Sequence, residues 1–261
     1  MSRIQHLSLL CILLPLCMWI GSQRTQAQLV NIESKRMHTD SIRFVLTSDI
    51  LFSYTDNNGE YVLQTNGNAS VQYKSKQLKD VYFLVGNVNV VRTQDEDFQN
   101  SWFAHFRYNR KLSKQWWAEG FAQSQNNQQL IITQRNLVGG GLRFQFLTKD
   151  HTQAYFGNSY MYETEFIKSL DQRFYNHRNS SYLSVNQTFK NVNLNLIGTV
   201  YFQPLYRNFS NHRILAQLKA ELPLTKILSF SAQYNHSTIK FDSVLGDDRS
   251  TNVSFGFTLR I

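Results

Sequence analysis

Polar and apolar residues alternate one by one along most of this chain, and that period constrains its fold more than any other feature. Successive side chains of a strand point to opposite faces, so such alternation marks a sheet with one apolar and one polar side. In 61–73, Tyr61, Leu63, Thr65, Ala69, Val71 and Tyr73 share a face opposite Gln64, Asn66, Asn68, Ser70 and Gln72. Val192, Leu194, Leu196, Gly198, Val200 and Phe202 oppose Asn193, Asn195 and Thr199. Ile214, Ala216, Leu218, Ala220 and Leu222 oppose Arg213, Gln217, Lys219 and Glu221. Val253, Phe255, Phe257, Leu259 and Ile261 oppose Asn252, Ser254, Thr258 and Arg260. Eight further segments are expected near 42–54, 80–92, 100–110, 115–125, 135–147, 153–165, 180–190 and 227–237, of which 180–190 shows the faintest pattern.

The connections are expected to be short and long in turn. Tight turns are placed at Lys111–Lys114, Lys149-Asp150, Asn191 and Pro223–Lys226, and long ones at 93–99, 126–134, 166–179, 203–212 and 238–250. Asp56–Gly59 breaks the rule with the chemistry of a tight hairpin. Short turns on one side and longer loops on the other belong to a barrel that spans a bilayer. A barrel is also the sheet that crosses lipid without leaving backbone groups unpaired at an edge. Tyr61 and Tyr73 stand twelve residues apart, roughly 40 Å along a strand. A tilt of about 45° makes that roughly 28 Å of height, close to the ~25 Å apolar band between aromatic girdles. Trp102, Tyr108, Trp116, Tyr162 and Phe202 are expected in those girdles.

The N-terminus reads as an export signal. Arg3 precedes an apolar run from Leu7 to Ile20, and Thr25 and Ala27 suit cleavage before Gln28. That run is shorter than the roughly 17–25 residues a membrane helix needs. Both cysteines, Cys11 and Cys17, lie within it, which excludes disulfides and thiolate metal sites from the mature chain. The leucines before them, Leu10 and Leu16, argue against a lipid anchor. Cleavage leaves 28–261 as the mature chain and removes Arg3 and Arg24, so the net charge of +9 falls by two. The remaining basic residues are scattered, and with export this excludes nucleic acid as partner. A mean hydropathy of −0.38 beside 14% aromatics fits polar strand faces with interfacial girdles.

The expected architecture is therefore all-β: a closed antiparallel transmembrane β-barrel of about twelve strands. Residues 1–27 are its signal peptide, 28–41 a short periplasmic segment and 42–261 the barrel in the bacterial outer membrane. The terminal strand ends on Phe257, Leu259 and Ile261, the kind of segment delivered to the outer-membrane assembly machinery.

Four stretches carry a family likeness: Val30–Arg36, which leads into the first strand, Trp117–Gln123, Arg135–Arg143 and Met161–Glu163. Together they resemble the domain of unknown function 481, outer-membrane proteins including the salt-induced type, in the form seen in Bacteroidota. The resemblance covers most of the mature chain and implies an outer-membrane barrel without assigned catalytic residues.

Parity turns His105, Arg107, Glu119, Arg135, Arg143, Glu163 and Arg213 toward the lumen, together with Gln123 and Gln145. One reading is a selectivity or ligand-binding lining. The other is a network of ion pairs and amides filling a narrow barrel, which the comparable numbers of Arg and Glu favour. No catalytic residue, metal ligand set or cofactor is expected. A lipolytic barrel needs a histidine and a hydroxyl held together on one face. The nearest match is His236-Ser237-Thr238, and no Gly-x-Ser-x-Gly elbow occurs. Asp95-Glu96-Asp97 and Asp247-Asp248 fall in expected outer loops, as solvated tips or as carboxylates for divalent ions. Gly139–Gly141 is read as closely packed backbone or a bend.

The function expected is a non-enzymatic barrel, either a narrow channel or a structural or accessory part of an envelope assembly. A membrane-embedded, phospholipase-like enzyme and a soluble periplasmic lipid binder are the alternatives. Partners would be outer-membrane lipids, lipopolysaccharide and envelope proteins.

Overall fold

A computed structural model describes residues 42–57, 60–93, 99–127, 132–241 and 247–261. The expected signal peptide, the periplasmic segment and the acidic run Asp95–Asp97 lie outside them.

Twelve antiparallel strands form one closed barrel. They are β1 Phe44–Asn57, β2 Glu60–Lys74, β3 Asp80–Thr93, β4 Gln99–Lys111, β5 Trp116–Asn127, β6 Ile132–Lys149, β7 Thr152–Ile167, β8 Gln172–Phe189, β9 Leu194–Leu205, β10 Asn208–Pro223, β11 Leu228–Lys240 and β12 Asp247–Arg260. Each pairs with its chain neighbours, and β1 pairs with β12 to close the ring.

The polarity is inside out. Buried polar and charged side chains outnumber buried apolar ones by about two to one among the described residues. Large apolar side chains stand on the outer wall, including Phe44, Ile50, Phe52, Leu84, Val138, Val200, Phe255 and Phe257. Burial of apolar area drives folding in water, so a soluble barrel would be built the other way round. Tyr73, Tyr82 and Tyr108 form a continuous aromatic row on this wall, with ring centroids 6.2 and 5.2 Å apart. Trp116 and Phe144 extend it at 4.7 Å.

Two parts of the connection pattern need correction. The stretch expected as a loop over 166–179 is mostly strand: β7 continues to Ile167, a 3-10 turn covers Lys168–Leu170, and β8 starts at Gln172. The stretch over 203–212 is strand on either side of Tyr206-Arg207. Likewise Asp247 and Asp248 begin β12 and do not sit in a loop. The two rims therefore carry connections of similar length, and strict short-and-long alternation is absent. The reason is the length of the strands, of which β8, with 18 residues, is an example. Such a strand spans roughly 60 Å, or roughly 42 Å of height at a tilt of about 45°, well beyond the ~25 Å apolar band. Above that band both faces meet polar surroundings, so Asp171–Asn179 lose the apolar alternation that identifies strands lower down.

Gly139 and Gly157 face inward beneath aromatic rings of the residues paired with them on neighbouring strands, Phe121 and Tyr182. A Cβ on Gly139 would lie 2.5 Å from the Phe121 ring, and one on Gly157 would overlap the Tyr182 ring. The glycine run in β6 is thus closely packed backbone, cleared for side chains from other strands. We expect Gly157→Val to destabilise the barrel by about 1–3 kcal/mol, the usual cost of overpacking. In a Tyr182→Ala background the same Gly157→Val change should cost much less, a negative coupling between the two sites. Urea unfolding in lipid vesicles measures both, and an equal cost in the two backgrounds would rule out the ring as the obstacle.

Candidate functional site

The residues that parity turns inward form separate groups, the most extensive of them around Glu163 and Glu165 of β7. Glu163 and Glu165 lie two apart on β7 and so share a face. Register places Arg135 of β6 opposite Glu165, and Arg178 of β8 opposite Met161. Arg213 arrives from β10. Arg135 donates from Nε and Nη2 to Glu163 Oε2 at 2.8 and 2.6 Å. Arg213 Nη1 donates to the same oxygen at 3.1 Å, and its Nη2 to Glu165. Arg178 donates from Nε to Glu163 and from Nη2 to Asn211 Oδ1 at 2.8 Å. Asn176 completes Glu165 at 3.1 Å. Three guanidiniums thus surround two carboxylates, every side chain being at most 7% exposed. Charges held this far from water survive only when paired and hydrogen-bonded.

A second group crosses the barrel. Arg107 Nη1 donates to Glu119 Oε2 at 3.2 Å, and the Tyr182 hydroxyl reaches it from β8 at 2.9 Å. His105 is sandwiched between Phe103 and Phe121, centroids 5.9 and 6.0 Å away, and its Nδ1 lies 3.2 Å from Gln123 Oε1. Arg143 stacks 3.7 Å over the Tyr155 ring. That is a cation–π contact. The seven sequence-derived candidates are thus all buried, but they do not form one constellation. Arg135, Glu163 and Arg213 meet; Arg107 and Glu119 meet; His105 and Arg143 each pack on aromatic rings.

A third group lies beneath the closing seam. Lys219 Nζ contacts Asp49 Oδ1 at 3.2 Å and Glu221 Oε1 at 2.6 Å, and Arg260 reaches Glu221 at 2.9 Å. The Thr258 hydroxyl donates to Asp49 at 2.7 Å. Sequence reasoning did not single out Glu165, Arg178 or Asp49. Arg178 fell within the expected loop, whereas the Glu163-x-Glu165 spacing was available as a signal for Glu165.

The arrangement offers little for covalent chemistry. His236 has Thr251 Oγ1 2.8 Å from Nδ1 and Thr238 Oγ1 3.1 Å from Nε2. Ser237 is buried inside the barrel, on the face opposite that histidine. No group of histidine and carboxylate suited to a metal occurs among the described residues.

The barrel is similar to two solved outer-membrane proteins. It matches the NanC porin with a TM-score of 0.53 at 13% identity, over 81% of this chain and 98% of the porin. It matches an outer-membrane channel from Pseudomonas putida F1 with a TM-score of 0.53 at 6% identity, over 84% of this chain and 95% of that one. At such identities the likeness is one of fold, that of porins and channels. No curated protein matches the chain. The profile described as "Protein of unknown function, DUF481" matches residues 52–259. With that match spanning most of its length, the chain belongs to the DUF481 family.

Proposed function

We propose that this chain is a non-enzymatic outer-membrane barrel sealed by its own side chains, acting as a structural or accessory element of an envelope assembly. The observation that carries this reading is the burial of the lumen lining. Glu163, Arg178, Arg213, Lys219 and Glu221 are all at most 2% exposed. A bore wide enough for water would expose the groups that line it. The fold it shares with porins and channels supports placement in the outer membrane, as does the apolar outer wall. On this reading the rim bearing Ile261 faces the periplasm, and the opposite rim meets lipopolysaccharide. The outer-membrane assembly machinery inserts the barrel, and other envelope proteins dock to it. For a lipolytic role His236 has hydroxyls beside it, those of Thr251 and Thr238, but among the described residues no amide or carboxylate bonds its ring to orient it as a base.

Purified barrel reconstituted in planar bilayers should give no steady conductance level. Removing the network with Glu163→Ala and Arg213→Ala together should produce one. A steady open level in the unmodified protein would overturn the sealed reading. Carbonate washing should leave the protein in the membrane pellet, and release to the supernatant would overturn its membrane placement.

The same network predicts a stability effect. Glu163→Gln leaves three guanidiniums with a single carboxylate, and breaking such a buried pair costs about 3–5 kcal/mol. The exposed pair Arg110–Asp80, 3.5 Å apart, should matter far less when broken by Asp80→Asn. Urea midpoints in vesicles compare the two; equal shifts would show that the lumen is hydrated rather than sealed.

A further inference from the structure

A cavity of about 40 Å³ lies within the lumen below the glutamate cluster. Its polar lining includes His105, Arg107, Gln125, Arg135, Ser180 and Gln203. A single water needs about 10–15 Å³ by this measure, so the space accommodates about three waters or one small ion. We propose that it is a binding site for a small monovalent anion that carries its own hydroxyl, of the bicarbonate type.

Charge is the first argument. Arg107 is matched by Glu119, whereas Arg135, Arg178 and Arg213 share two carboxylates, Glu163 and Glu165. Among the described residues one positive charge is left over in this cluster, and Arg135 carries the cluster to the cavity wall. A surplus cation so deeply buried is costly unless an anion accompanies it. Guanidinium groups are also suited to planar oxyanions, which they grip with parallel hydrogen bonds.

The hydrogen bonds of the wall define the second requirement. Gln123 Nε2 donates to Gln125 Oε1 at 2.7 Å, which turns Gln123 Oε1 toward His105 Nδ1. The neutral ring then carries its proton on Nδ1 and presents a lone pair at Nε2. That Nε2 is buried and has no partner among the described residues, on a side chain 2% exposed. Gln203 Nε2 donates to Ser180 Oγ at 3.1 Å, which leaves its Oε1 equally buried and unpartnered. Two acceptors thus face the same cavity as two cations. An anion without a proton would satisfy the arginines and confront the acceptors. A hydroxylated monoanion satisfies both, accepting from guanidinium and donating to His105 Nε2 or Gln203 Oε1.

The test is thermal unfolding of the intact purified barrel in detergent, titrated with sodium bicarbonate at fixed pH and ionic strength. Sodium nitrate and sodium formate serve as the comparators without a hydroxyl. Bicarbonate should raise the midpoint saturably, with half-saturation at least tenfold lower than for nitrate or formate. His105→Phe and Gln203→Met should each weaken that response at least tenfold. Gln203→Glu, nearly the same shape as the original, should abolish it by placing a like charge in the cavity, and covers the case in which the other variants fail to fold. The proposal is overturned if the rise does not saturate, if the folded variants respond as the unmodified barrel does, or if nitrate and formate act as strongly. The first two outcomes would mean a cavity that holds water only. The site does not depend on the sealed reading, because a conducting barrel would overturn that reading without moving these midpoints.

Discussion

Everything in this barrel depends on closure of the ladder between its first and last strands. In a bilayer core an unpaired backbone group has no water to turn to, so an open sheet edge there costs several kcal/mol per group. The seam that prevents this is short. It runs from Leu46, which exchanges backbone hydrogen bonds of 2.8 and 2.9 Å with Ile261, to Phe52 opposite Phe255, while the β1–β2 ladder runs from Phe44 opposite Tyr73 to Asn57 opposite Glu60. The side chains beneath the seam reinforce it. Asp49 of β1 and Thr258 of β12 are hydrogen-bonded to each other, and Lys219 of β10 reaches both. A lysine and an aspartate with no solvent exposure are thereby held where the ring is least extensively paired.

Closure with twelve strands creates a second constraint, an interior that something must fill. Apolar side chains are committed to the outer wall, so the filling has to come from the polar face. Short serine and asparagine side chains serve near the wall, as where Gln64, Asn87 and Asn89 bond across β2 and β3. The centre requires long ones. Arginine combines reach with a rigid fork of donors, and the three arginines make five hydrogen bonds to the two glutamates. Tyr182 and Phe121 complete the filling, each ring lying over the glycine paired with it on the neighbouring strand, Gly157 and Gly139. The result resembles an ionic core, with packing and charge pairing achieved by the same atoms.

Much of this was legible in the residues themselves. Period-two alternation specified β-structure, the strand number and the face on which each lumen residue sits, because strand geometry converts parity directly into direction. Two things were hidden. Strand ends beyond the apolar band carry no alternation, so Asn176 and Arg178 read as loop although both point into the core. Register was hidden too: parity places Arg135, Arg178 and Arg213 inside, but nothing local states that β6, β8 and β10 are offset so that all three reach Glu163. The unpartnered atoms of His105 and Gln203 depend on the same offsets and on which way two glutamine amides turn, information that exists only once neighbouring strands are in place.

The outer wall shows how firmly the same rule operates where it is broken. Several polar side chains that project outward on β5 to β8 are matched by a neighbour. Ser124 donates to Asn136 at 2.6 Å, and Asn158 donates to Ser181 at 2.8 Å, while Ser181 in turn donates to Asn179 at 2.6 Å. Tyr160 and His177 bond to each other beside the Tyr206 ring. The sequence supplies these groups with partners two residues along a strand, directly across the ladder or one diagonal step away. Polar groups on the inner face reach across the lumen to distant strands, whereas those on the outer face can reach only adjacent positions. Long charged side chains on the outward face stand at strand ends, as Arg92, Arg110 and Arg173 do, while those midway along the strands point into the lumen.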